Sequence, residues 1–186
     1  METKDHFHLA KLITAQDSFG TDTECAAFEY GCVTPDINPV TYIKGHTYSG
    51  TIDNVKNVLS RLHGRLRNPI DYFQLGRAVH FIGDYFTFPH TPLFRGTLAE
   101  HRSYERKLHE YISKQNDLPD GISTEDLSDV EKCIGLLEKL QKKYFSIRHS
   151  ISTDWSYIKY ACSAISLSAA KCRVAVPKTG AVFPQV

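Results

Sequence analysis

Pro69-Ile70-Asp71-Tyr72-Phe73-Gln74-Leu75-Gly76-Arg77-Ala78-Val79-His80-Phe81-Ile82-Gly83-Asp84-Tyr85-Phe86 reads as one helix, from about 69 to 86. Proline suits a first helical turn, where its missing N–H has no partner to lose. Four residues separate His80 from Asp84, so their side chains project from one face, an imidazole beside a carboxylate. Val79, Phe81 and Ile82 around them are apolar. Burying an unpaired charge among such neighbours is costly, and a metal ion held jointly by His80 and Asp84 resolves the conflict.

The same device recurs downstream. His101 and Glu105 are again four apart, on a helix expected from about 97 to 114. Phe88-Pro89-His90 places a further imidazole in the connection. Upstream, a loop expected from Gly31 to Gly50 carries Pro35-Asp36 and Gly45-His46, and His6 and His8 lie near the start. One His/acid pair alone is most often a surface pair worth roughly a few tenths of a kcal/mol. Two pairs on consecutive helices are what a bundle needs to build a metal site in its core. Imidazole and carboxylate donors favour zinc over calcium or magnesium, which prefer all-oxygen shells. Asp36, His46, His80, Asp84, His90, His101, Glu105 and one N-terminal histidine make eight candidate ligands. A catalytic zinc takes about three protein ligands and keeps a place for water, so the tally points to two or three ions. His63 and His149 are expected to face solvent, and His109 to be an ordinary, partly exposed histidine.

The remaining pattern is helical. Ile52, Val55, Val58, Leu59, Leu62 and Leu66 form one stripe at three- and four-residue steps. Leu127, Val130, Ile134, Leu137, Leu140 and Tyr144 form another, after Ser123-Thr124-Glu125-Asp126, a start suited to capping. Trp155, Ile158, Cys162, Ile165, Ala169 and Cys172 form a third, rich in small residues. Shorter helices are expected at about 5 to 18 and near 22 to 30. Strand candidates are confined to Val40–Ile43 and Val174–Val176, neither with a hairpin partner. The expectation is a single all-α domain over 1–176, a multi-helix bundle with a zinc cluster in a cleft, and an irregular tail over 177–186.

At 186 residues the chain can bury a core without disulfides. Its net charge of +1 gives no strong electrostatic case for nucleic acid or an anionic membrane surface. Cys25, Cys32, Cys133, Cys162 and Cys172 contain no CxxC pair and read as free thiols. There is no apolar leader and no run of membrane-spanning length. A cytoplasmic protein is therefore expected, or a secreted one if a leader has been removed.

These residues resemble the zinc-dependent phospholipases C of bacteria. That family's His-Tyr-x-Gly-Asp followed by Pro-x-His stands here as His80-Phe81-Ile82-Gly83-Asp84 and Pro89-His90. His101 to Glu105 resembles its His-x-x-x-Glu, and Pro35-Asp36 with His46 its upstream ligands. The resemblance implies a three-zinc cluster. Asp36, His46, His80 and Asp84 would hold one ion, and His90, His101 and Glu105 another. Asp84 would bridge to a third held by an N-terminal histidine, with His6 favoured and His8 the alternative. Secreted members also use the amine of their first residue there, whereas five residues precede His6 in this chain. Ile37 stands where choline-specific members carry an aromatic ring, so choline is not the implied head group.

The function expected is hydrolysis of a phosphodiester, with Asp36 as general base. For a phospholipid, whose cleavage entails transient contact with a membrane surface, the products are diacylglycerol and a phosphorylated head group. A single-strand-specific zinc nuclease and a non-catalytic metal-binding protein are the alternatives.

Overall fold

A computed structural model of the chain describes residues 1–17, 19–38, 47–62, 64–119, 127 and 129–171. The described residues form seven α-helices: α1 (Thr3–Thr14), α2 (Asp22–Ile37), α3 (Tyr48–Leu62), α4 (Pro69–Tyr85), α5 (Leu98–Ile112), α6 (Val130–Phe145) and α7 (Ile151–Lys171). A 3-10 turn, Phe88–His90, follows α4. There is no strand among the described residues, and both strand candidates lie outside them, as does the tail from Pro177.

Local chemistry sets the helix starts. Asn68 Oδ1 accepts from the N–H groups of Ile70 and Asp71 ahead of Pro69 at α4. Thr21 with Glu24, and Thr97 with Glu100, form reciprocal capping boxes at α2 and α5. Asp129 caps α6 through the N–H of Lys132, so that helix begins at Val130, three residues later than the apolar stripe implied.

The centre of the bundle is α4, in which every residue from Ala78 to Tyr85 is buried. A helix enclosed on all sides needs neighbours all round it, and α1, α2, α3 and α7 supply them. Its tightest partner is α2. A Cβ added at Gly31 would lie 2.2 Å from the Phe73 carbonyl oxygen, and one at Gly76 would lie 2.2 Å from that of Phe28. The two backbones therefore touch at a crossing only glycine permits.

This crossing corrects one expectation. Gly31 was to open a loop, yet α2 continues through Pro35 and Asp36 to Ile37. Gly31 is used for close approach rather than as a helix stop. Proline within the helix removes one N–H, while the neighbouring Thr34 hydroxyl donates to the Tyr30 carbonyl at 2.7 Å. Asp36 thus comes from a helix held hard against α4. On the opposite side lies α7, whose small residues allow close packing and whose Cys162 thiol donates to the Val79 carbonyl at 3.6 Å. Cys25, Cys32 and Cys162 are free thiols, and Cys172 lies outside the described residues. No described helix is long and apolar enough to cross a membrane.

Gly76→Ala is expected to destabilise the fold by about 3 kcal/mol, the upper end of overpacking costs, because its Cβ meets backbone rather than a side chain that can move. Gly135→Ala, on an exposed face of α6 with nothing within 4 Å, is expected to stabilise by roughly 0.5–1 kcal/mol through helix propensity. Urea unfolding midpoints of the two variants should move in opposite directions.

Candidate metal centre

Five elements bring their donors to one place. His80 and Asp84 face inward from α4, His6 from α1, and Asp36 from the last turn of α2. The 3-10 turn presents His90, and α5 presents His101 and Glu105. Asp84 and His80 are completely buried, and His6 is 2% exposed.

Asp84 is the hub. Its Oδ2 lies 3.3 Å from His80 Nε2. Its Oδ1 lies 3.3 Å from His6 Nε2, 3.2 Å from His90 Nδ1 and 2.9 Å from the Met1 amine. The imidazoles of His6 and His80 stack with centroids 3.8 Å apart. Asp36 Oδ1 is 3.5 Å from His80 Nε2. A second focus is Glu105 Oε1, at 3.1 Å from His90 Nε2, 3.3 Å from His101 Nε2 and 3.3 Å from the Met1 amine. His6, His80 and Asp84 form one group able to surround an ion, and His90, His101 and Glu105 another.

Burial and charge work against each other here. Burial alone would raise the Asp84 carboxyl, but the Met1 amine and the three imidazoles hold it well below its usual range. Glu105 is likewise brought down to about 2 against its burial, by His90 and the amine. Burial, with His80 alongside, drives His6 down to about 4, leaving its imidazole neutral at neutral pH. The opposite holds for the Met1 amine, raised to about 10 by Asp84 and Glu105 in spite of burial.

Zinc fits this donor set. Two ligands of a tetrahedral zinc, each about 2.0–2.1 Å from the ion, stand about 3.3–3.4 Å apart, close to the 3.1–3.5 Å nitrogen–oxygen spacings between the imidazoles and carboxylates. His6 Nε2 is buried, makes no hydrogen bond and lies 3.3 Å from Asp84 Oδ1, the spacing of two neighbouring ligand atoms. His80 Nδ1 lies 2.8 Å from the Cys32 carbonyl. A carbonyl can only accept, so the proton is on Nδ1 and Nε2 turns its electron pair toward the cluster. That carbonyl sits one residue past Gly31, at the glycine crossing.

Of the eight sequence candidates, seven converge, and His46 lies outside the described residues. Between the N-terminal histidines, His6 is the one that reaches Asp84. His8 turns away, and its Nε2 donates to the Gln115 carbonyl at 2.7 Å. One expectation is overturned. His149 does not face solvent: both ring nitrogens are buried without hydrogen bonds, and the ring stacks on Phe88 with centroids 4.5 Å apart. His109 is partly exposed, as expected, and its Nδ1 pairs at 2.6 Å with the buried Asp5, joining α5 to α1. His63 lies outside the described residues. The Met1 amine had no signal in residue spacing. A cavity of about 770 Å³ opens onto the cluster, lined by Asp36, Tyr48, His90, His101, Glu105 and Phe145 among others.

An all-helical bundle with paired imidazole–carboxylate groups at the floor of a cleft defines a metal-dependent class. Its particular member family follows from comparison: the model of zinc-dependent phospholipase C matches residues 5–163, and the chain belongs to that family. No curated protein and no solved structure gives a significant match.

If Asp84 serves two ions, Asp84→Asn is expected to leave at most about one zinc per chain, while His101→Ala loses about one. Elemental analysis of protein purified without chelator measures both. Equal zinc contents in the two variants would remove Asp84 from its bridging role.

Proposed function

We propose that the chain is a phosphodiesterase of the phospholipase C type, cleaving a phospholipid to diacylglycerol and a phosphorylated head group. Seven donor side chains converge, and four of them, Asp36, His90, His101 and Glu105, line one open cavity, and that juxtaposition carries this reading. His6, Asp36, His80 and Asp84 would hold zinc on one side, and His90, His101 and Glu105 on the other, for two or three ions in all. His46 would complete the first group and the Met1 amine would join Asp84. Zinc bound there would supply a Lewis acid that polarises a phosphoryl oxygen and lowers the pKa of water.

The chain's own residues do the rest. Asp36 lines the cavity and is half-buried, with its carboxylate beside His80. There it can take a proton from an attacking water and return one to the leaving alkoxide oxygen, so that P–O cleavage gives an alcohol and a phosphomonoester. The Cys32 carbonyl fixes the His80 tautomer throughout. Tyr48, Leu98 and Phe145 give the cavity apolar walls suited to a glycerol backbone and the start of its acyl chains. Leu93 and Leu98 are exposed beside its mouth, at 43% and 65%, which supports transient contact with a lipid surface.

Zinc-loaded protein is expected to hydrolyse a soluble chromogenic phosphodiester, to stop on chelation, and to lose roughly 10²- to 10⁴-fold in kcat as Asp36→Asn. Full activity in that variant would remove Asp36 as the base. Phosphatidyl vesicles and single-stranded DNA then divide the lipase reading from a nuclease, and turnover of none of the three would favour a non-catalytic metal protein.

A further inference from the structure

Beneath the donor array sits a carboxylate that touches no donor. Asp154, in the first turn of α7, is completely buried. Its Oδ2 accepts the Phe88 N–H at 2.9 Å and the Tyr104 hydroxyl at 2.8 Å. Its Oδ1 accepts the Tyr144 hydroxyl at 2.7 Å. Aromatic rings close over these bonds: Phe88 lies 5.8 Å from Tyr104 and 4.5 Å from His149, and Tyr144 4.5 Å from His149, centroid to centroid. Burial pushes the Asp154 carboxyl up to about 6, and its three hydrogen bonds only partly offset this. The protein thus keeps an expensive group where an apolar one would pack.

Its partners explain the choice. Phe88 begins the 3-10 turn that ends at His90. Tyr104 is the residue before Glu105 and three after His101, so it shares a helix turn with both. One oxygen atom therefore joins the two elements that together supply His90, His101 and Glu105. Of the turn's other bonds, the 3.1 Å contact of His90 Nε2 with Glu105 Oε1 runs from donor to donor, while Thr87 donates to the Gly83 carbonyl of α4 and Thr91 to the Phe88 carbonyl of the turn itself; Asp154 joins the same two elements from outside the donor set. Metal sites require donor positions held within a few tenths of an ångström, and two short hydrogen bonds to a single buried atom provide that.

We propose that Asp154 is a positioning residue for the second zinc group, setting the separation of His90 from His101 and Glu105 through the Phe88 N–H and the Tyr104 hydroxyl. The inference rests on the reading of those three residues as zinc ligands. Removing such an outer partner characteristically weakens metal binding by about 10- to 100-fold. The first group, held by α1, α2 and α4, does not use Asp154.

The test is zinc affinity by chelator competition, with thermal unfolding in parallel, on the full chain and on Asp154→Ala, Asp154→Asn and Tyr104→Phe. In Asp154→Ala one zinc equivalent is expected to loosen by about 10- to 100-fold while the others stay within about threefold. Asparagine keeps a carbonyl for the Phe88 N–H and turns its amide to the Tyr144 oxygen, so Asp154→Asn should restore most of that affinity. Tyr104→Phe, which leaves the carboxylate in place, should show a smaller loss in the same equivalent and decides the matter if Asp154→Ala fails to fold. Unchanged affinities, or a uniform fall in all equivalents that tracks the melting temperature, would overturn the positioning role. A wild-type chain that takes up no zinc would overturn the ligand reading itself, and this proposal with it.

Discussion

An ionised carboxylate at the centre of a helical bundle must be answered by positive charge or by hydrogen-bond donors, and Asp84 is such a carboxylate. Left alone it would cost several kcal/mol or be forced to take up a proton. Around it the chain collects three imidazoles and an amine from elements far apart in sequence. The bundle is closed around this requirement: α1 docks through His6, and the turn after α4 folds back through His90. Glu105 answers the same amine and the other ring nitrogen of His90, so the two carboxylates divide the donors between two foci.

Steric room makes the arrangement reachable. Gly31 and Gly76 let α2 and α4 approach to backbone contact, and that approach has two chemical effects. It brings the Cys32 carbonyl to His80, which fixes the ring's tautomer. It also carries Asp36, five residues further along α2, to the edge of the cavity. A wider crossing made of ordinary side chains would keep the helices and lose both effects.

The all-helical character was plain in the stripes of α3, α6 and α7, because an amphipathic face leaves a 3.6-residue rhythm. Most donors were legible as well, since a polar pair four apart inside an apolar run of α4 has few other uses. The end of α2 was not. Pro35 and Gly31 carry loop signals, and only the tertiary contact with Phe73 shows why the helix overrides them. His149 read as a surface residue because its burial comes from other elements, α6 and the 3-10 turn, and the pairing of the partly exposed His109 with Asp5 of α1 leaves no trace in local spacing. Asp154 could have been noticed: it lies four residues before Ile158 and seven before Ala161, on the buried face of α7. A lone acid on such a face signals an internal hydrogen-bond network, but its partners at 88, 104 and 144 are set by the fold alone.

The place of α7 has a consequence for how the protein comes into being. Every described donor precedes residue 106, yet the helix that underpins them begins at Ile151. On the ribosome, where the N-terminal part of a chain emerges first, the imidazoles and carboxylates are exposed well before their support exists. An early-arriving cation meets loose donors rather than a shaped cage. If Asp154 positions the second group as proposed, that group is completed only once α7 has formed, and a chain ending before Ile151 would keep every described donor without that support.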